Sequence, residues 1–189
     1  MIIKKNAITF GFDADGVLFD FNKAAKDIIE KLTQYKFDII NPNAFGIFKQ
    51  LGLGTDAQRM FWKNFHWEDL PPKEGAIEAL NLVRDGGYKI CILTSMNPND
   101  KINRINNLKK YGMKYDEVIV CKRRVPKTSA LKEIKPLFYI DDQRKNIQAA
   151  IDAGVPNIGY IAKDIYDSEN VVSSENVLTA TKTLITNIS

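Results

Sequence analysis

A chain of 189 residues has room for one well-buried core with a small appended unit, and is short for two full domains. Its composition, 44% hydrophobic and 26% charged, is that of an ordinary globular protein, and its formal charge of +4 is mild. No apolar run approaches the roughly 20 residues that span a bilayer, which excludes a helical membrane protein.

The N-terminal Met-Ile-Ile-Lys-Lys-Asn runs into the first apolar segment without a signal peptide's apolar region or cleavage site, so a cytoplasmic setting is expected. Residues 7 to 12 read as a buried strand leading to Asp13 and Asp15, two carboxylates one residue apart, followed by Gly16. Period-two alternation projects both from the strand's C-terminal end, where an open α/β sheet places its ligands. Such a pair suits phosphoryl transfer with a hard cation: one carboxylate attacks phosphorus, the cation neutralises crowded charge, and the second carboxylate works as acid and base. Asp-Gly equally suits a turn at a strand end, so the residues downstream decide.

Phe19, Phe21, Ala24, Ala25, Ile28, Ile29 and Leu32 recur with helical period. From about 35 to 70 the pattern loosens into Asn41-Pro42, glycines and many aromatics, which predicts a small, mostly helical insertion. His66, the only histidine, sits in Phe61-Trp-Lys-Asn-Phe-His-Trp67 without a nucleophile motif. It reads as packing or pocket lining, and both a Ser-His-Asp triad and a phosphohistidine route lose their histidine.

Pro71-Pro72 closes the insertion, and a helix through Ala76, Ile77, Ala79, Leu80, Leu82 and Val83 stops at Gly86-Gly87. Tyr88 to Ser95 is a buried strand ending in the hydroxyls of Thr94 and Ser95. Asn97 to Asp100 caps a helix through Ile102, Ile105, Leu108 and Tyr111, and Val118 to Cys121 is a third strand. The basic stretch Lys122, Arg123, Arg124 and Lys127 reads as a solvated loop, against a phosphorylated or nucleic-acid ligand as the alternative.

Ser129 opens a helix with Leu131 and Ile134. Leu137 to Ile140 is a fourth strand running into Asp141-Asp142, acidic residues that also suit a helix start. A helix with Ile147, Ala149, Ala150 and Ile151 ends at Gly154, and Asn157 to Ile161 is the fifth strand. Val177, Leu178, Thr181, Leu184, Ile185 and Ile188 make a last amphipathic helix. Cys91 and Cys121, at or within apolar runs, read as buried thiols.

This alternation predicts an α/β fold: a Rossmann-like parallel sheet of about five strands flanked by helices. Right-handed crossovers bring consecutive strand ends to one edge, so Asp13, Thr94, the loop after Cys121 and Asp142 can face one crevice.

Four strand-end motifs in order resemble the haloacid dehalogenase superfamily of phosphotransferases: Asp13-Ala-Asp-Gly-Val17, Ile90-Cys-Ile-Leu-Thr-Ser95, Lys127, and Phe138-Tyr-Ile-Asp-Asp142. The resemblance implies Asp13 as nucleophile and Mg²⁺ ligand, and Asp15 as acid and base that lends its backbone carbonyl to the metal. It implies Asp142, with Asp141 beside it, completing the Mg²⁺ site, Thr94 and Ser95 holding phosphate oxygens, and Lys127 neutralising charge. Lys122, Arg123, Arg124 and Lys132 lie close enough to compete for that last role.

Asp20-Phe21, the approach His66-Trp-Glu-Asp-Leu-Pro-Pro-Lys-Glu-Gly-Ala76 and Thr94-Ser95 are similar to the pyrimidine 5'(3')-deoxyribonucleotidases, with Leu93 where that family has Cys. This implies a core of residues 1–20 and 71–189 and a helical cap of residues 21–70. Phe45, Phe48, Trp62, Phe65 and Trp67 in the cap become candidates to stack on a base. The expectation is a Mg²⁺-dependent 5'-nucleotidase acting on a small phosphorylated substrate. A phosphatase of sugar phosphates or nucleic-acid 3'-phosphates and a non-catalytic binding module stand as alternatives.

Overall fold

The computed structural model describes residues 8–38 and 47–187. Pro42, Phe45 and Ile188 lie outside the described residues. Strands β1 (Thr9–Asp13), β2 (Lys89–Ser95), β3 (Glu117–Cys121), β4 (Phe138–Asp141), β5 (Asn157–Ile161) and β6 (Val171–Ser174) form one parallel sheet in the order β3-β2-β1-β4-β5-β6. The sixth strand exceeds the expected five. It is a half-buried edge strand of two valines and two serines, too short and polar to announce itself by periodicity.

The helices are α1 (Phe21–Thr33), α2 (Ile47–Gln50), α3 (Thr55–Asn64), α4 (Ala76–Asp85), α5 (Lys101–Lys110), α6 (Thr128–Ile134), α7 (Arg144–Asp152) and α8 (Val177–Thr186). None among the described residues is long and apolar enough to cross a membrane. Strand alternation sorts the core into two layers. Phe10, Phe12, Ile90, Ile92, Phe138 and Ile140 pack with Leu80 and Val83 of α4 and Leu184 of α8. Cys91, Leu93, Tyr139 and Ile158 face the other way, toward Leu131 of α6 and Ile147 of α7. The Phe10 and Phe138 rings stack across neighbouring strands at 4.1 Å between centroids. Both cysteines are free and buried, and burial pushes the Cys91 thiol up to about 12, so it stays protonated and unreactive at neutral pH.

Strand order reverses at β1, which has β2 on one side and β4 on the other. The C-terminal ends of β1 and β4 therefore flank the crevice in which such sheets bind ligands. Beyond β1 the chain makes one tight turn, with the Leu18 and Phe19 amides both donating to the Ala14 carbonyl at 2.9 Å. Outgoing and returning chains are clasped where α1 begins and residue 73 follows: the Asp20 amide donates to Pro71 O and the Lys73 amide to Leu18 O, each at 2.9 Å. The Asp20 carboxylate caps α1 by accepting from the Lys23 amide at 2.9 Å. Between these crossings, Ile29 of α1, Ile47 of α2, and Phe61 and Phe65 of the α3 region are buried together, continuous with the sheet's core.

Candidate active site

Asp13 is the last residue of β1, whereas Asp15 lies beyond the strand in the turn. The two buried carboxylates consequently face different partners. Asp13 accepts from Lys127 Nζ, which also donates to Leu93 O at 2.9 Å and Asp141 Oδ2 at 2.9 Å. Lys127 immediately precedes α6 and is 1% exposed, while Lys122, Arg123 and Arg124 are exposed. The basic stretch is thus split: Lys127 is buried in the carboxylate cluster, and Lys122, Arg123 and Arg124 remain on the surface.

Asp141 and Asp142 are adjacent but do different things. Asp141 accepts from Lys127 and the Tyr139 hydroxyl on one oxygen, and from the Gln143 amide (2.9 Å) and Asn146 Nδ2 (3.1 Å) on the other. Its hydrogen-bonding capacity is filled by the protein, which makes it a strut for Lys127 more than an open ligand. Asp142 is also buried, yet its Oδ1 has no partner. A Cβ on Gly16 would stand 2.2 Å from Asp142 Oδ2, and Gly16 has φ of +93°, so only glycine permits this approach.

Ligand oxygens of Asp13, Asp141 and Asp142 lie within 4.8 Å of one another. Three carboxylates share one buried ammonium, with Lys73 as a weaker counter-charge to Asp142. Burial pushes the Asp13 carboxyl up to about 7; Lys127 opposes this, and the charges of Asp141 and Asp15 reinforce it. Burial, then the charges of Asp141 and Asp13, holds Asp142 well above the usual carboxylate range. An oxygen-only donor set, an excess of negative charge and an orphaned carboxylate oxygen fit a hard divalent cation, with Asp13 and Asp142 as the side chains that could hold it. Asp15's carboxylate is not part of this set.

Thr94 is fully buried and its hydroxyl has no partner, a deficit of about 1–3 kcal/mol unless a ligand supplies one. Ser95, half-buried, lines a cavity of about 340 Å³ together with Asp15. Phe21, Phe48, Trp62 and Trp67 give this cavity an aromatic wall, and Gln58, Gln143, Arg123, Arg124 and Lys145 add polar and cationic groups. Of the aromatic candidates, Phe48, Trp62 and Trp67 reach the cavity. Phe65 lies behind it, buried with its ring edge-on to Phe21, Trp62 and Trp67, because α3 turns it toward the core. Phe45 lies outside the described residues. Exposed His66 borders a separate groove with Glu68 and Asn103.

Arg104 on α5 escapes a reading based on apolar periodicity. It is fully buried and donates from Nη2 to Asp15 Oδ1 at 2.6 Å and from Nη1 to Asn107 Oδ1 at 3.2 Å. Its guanidinium lies 4.9 Å from the Phe19 ring centre and 5.2 Å from that of Trp67. Asn107 in turn donates to Glu68 O (3.1 Å) and Leu70 O (3.0 Å), joining Asp15's partner to the segment by which the insertion returns. Of the expected face Ile102, Ile105, Leu108 and Tyr111, Leu108 is buried and Ile105 and Tyr111 pack against the core, but Ile102 is 58% exposed, and the polar Arg104 and Asn107 are buried beside Leu108. Residues 104, 107, 108 and 111 form an equally good helical series, and Asp15's charge is what makes the polar one worth burying.

No family model and no curated protein sequence matches the chain. Solved structures do. A HAD-superfamily hydrolase of subfamily IA from Geobacter sulfurreducens aligns over 96% of this chain and 100% of its own, with 16% identity and a TM-score of 0.62. A haloacid dehalogenase-like family hydrolase from Xanthomonas campestris aligns over 96% of each chain, at 13% identity and 0.63. A HAD-superfamily hydrolase from Ehrlichia chaffeensis covers 99% of this chain and 100% of its own, at 18% identity and 0.58. With its sheet order, its helices on both faces and these neighbours, the chain has the fold of the haloacid dehalogenase superfamily hydrolases.

Proposed function

We propose that the protein is a phosphomonoester hydrolase that transfers the phosphoryl group to Asp13, and that its substrates are nucleoside monophosphates. One observation carries this reading: an aromatic-walled cavity meets Asp15 and Ser95 at the sheet edge where Asp13, Lys127 and Asp142 are gathered. Stacking walls suit a flat base, and the polar end suits a phosphate. Residues 21–70 act as the cap that supplies the aromatic wall.

In the first half-reaction an Asp13 carboxylate oxygen attacks phosphorus, and the bond to the leaving sugar oxygen breaks as that oxygen takes a proton from Asp15. In the second, water attacks the aspartyl-phosphate while Asp15 takes its proton back, freeing inorganic phosphate and Asp13. Lys127 holds Asp13 in place and offsets charge, and the hydroxyls of Thr94 and Ser95 donate to phosphate oxygens. Mg²⁺, held by the carboxylates of Asp13 and Asp142 with the Asp15 carbonyl, would supply the charge neutralisation that two anions in contact require.

The test is phosphate release from a panel of ribo- and deoxyribonucleoside monophosphates and sugar phosphates with and without Mg²⁺. Mg²⁺-dependent hydrolysis favouring nucleotides is expected; hydrolysis of sugar phosphates alone contradicts the substrate class.

Metal linkage has a definite sign. Asp13's carboxyl rises from an ordinary 3.8 to about 7, so the metal-free fold keeps this contribution to stability below about pH 4 and loses it as pH rises through about 7. Mg²⁺ competes with those protons. Its binding at pH 5 is expected to be weaker than at pH 8 by at least roughly a hundredfold, the contribution of displacing Asp13's proton alone two units below that carboxyl's midpoint. Thermal melts with increasing Mg²⁺ should therefore show a larger gain in Tm at pH 8. An equal gain at both pH values contradicts the assignment of Asp13 as a ligand.

A further inference from the structure

Six arginines occur in the sequence, and their partners divide them. Arg59, Arg84, Arg104 and Arg144 each pair with a carboxylate, on Asp56, Asp116, Asp15 and Asp164. Arg123 and Arg124 have no carboxylate partner among the described residues, nor does Lys145. All three line the cavity that contains Asp15 and Ser95. Arg124 has φ of +63°, a left-handed conformation uncommon for a non-glycine residue. The turn that imposes it is closed by the Val125 amide donating to Lys122 O at 3.3 Å. Arg123's guanidinium lies 5.8 Å from the Trp62 ring centre, resting on the aromatic wall.

The reacting phosphate does not need these cations. Lys127 already stands against Asp13, and the neighbouring strand β2 ends in Thr94, whose hydroxyl has no partner, and Ser95. We propose that Arg123, Arg124 and Lys145 form a subsite for a second phosphate of the same substrate. That substrate is a nucleotide carrying phosphate at both ends of its sugar, whether a free bisphosphate or the phosphorylated end of an oligonucleotide. Paired arginine forks match phosphate oxygens, and a base stacked on Phe48, Trp62 or Trp67 holds the sugar between the two sites. This rests on the phosphomonoesterase reading of Asp13.

The experiment compares kcat/KM for thymidine 5'-monophosphate, thymidine 3',5'-bisphosphate and a 5'-phosphorylated thymidine dinucleotide, in the full-length protein with Mg²⁺. The wild type should prefer a substrate carrying the second phosphate by about tenfold or more, the scale of one well-formed charged contact, and the preference should shrink between 50 and 200 mM salt. In R124Q and the R123Q/R124Q double variant the ratio should fall toward one. A dinucleotide preferred over the bisphosphate identifies a nucleic-acid end as the source, and the reverse identifies the free nucleotide. A wild-type ratio near one, or a ratio that survives both substitutions, overturns the subsite. If no nucleotide is hydrolysed, the nucleotidase reading fails by itself. The subsite is then decided by calorimetry of the mono- and bisphosphates on the D13N protein, where equal affinities overturn it and a tenfold difference abolished by R124Q upholds it.

Discussion

Replacing Asp13 with Asn is expected to lower phosphate release by about a thousandfold or more while leaving the fold intact, because the amide removes the nucleophile but keeps its shape. The fold should be preserved for an electrostatic reason. Asp13 is one of three carboxylates within 4.8 Å that share a single buried ammonium, so removing its charge relieves repulsion. Metal-free D13N should therefore melt no lower than the wild type at pH 8, where the wild-type Asp13 is ionised, and should lose most of its stabilisation by Mg²⁺. Retained turnover with normal melting would show that Asp13 does not form the covalent bond to phosphorus.

The second large effect concerns Arg104. Replacing it with Met strands the Asp15 carboxylate, only 8% exposed, without its guanidinium partner, and is expected to cost about 3–5 kcal/mol in denaturant unfolding. Turnover should fall as well, since the contact at 2.6 Å fixes where Asp15 presents its other oxygen to the cavity. The pair D15N/R104M separates the two roles: stability should recover by at least about 1 kcal/mol over R104M, while activity stays low because the acid and base is gone. R104K keeps a charge but gives up the fork that also reaches Asn107, so an intermediate kcat with little change in KM is expected. Additive losses in the double variant would mean that Arg104 and Asp15 act independently.

The sheet was legible because its strands are short apolar runs separated by helical periods and punctuated by glycine. Alternation alone separates Ile90 and Ile92 from Cys91 and Leu93 onto opposite faces. The sixth strand was not legible, since Val171–Ser174 is a half-buried edge that owes its conformation to β5 and not to its own pattern. At the site, residue types at strand ends pointed to Asp13 and the Asp141-Asp142 pair, and the family resemblance to Lys127, but sequence could not divide labour between neighbours. Only the hydrogen bonds distinguish Asp141, saturated by Lys127, Tyr139, Gln143 and Asn146, from Asp142 with its unpartnered oxygen. Likewise Lys127 differs from Lys122, Arg123 and Arg124 through burial, which depends on how the loop returns to the sheet. Arg104 was hidden for the opposite reason: its helix carries two overlapping periodic faces, and a hydrophobicity count selects the one holding Ile102. Among the aromatics, composition could not tell Phe65, which fills the core, from Trp62, which is 40% exposed beside the cavity.

The most direct test of phosphoryl transfer through Asp13 is to quench the enzyme with acid during turnover of a nucleoside monophosphate and map the modified peptide by mass spectrometry. One phosphoryl group on the peptide containing Asp13, absent from D13N and lost on neutral re-incubation, is the predicted result. Sustained phosphate release with that peptide unmodified at every quench time would contradict it.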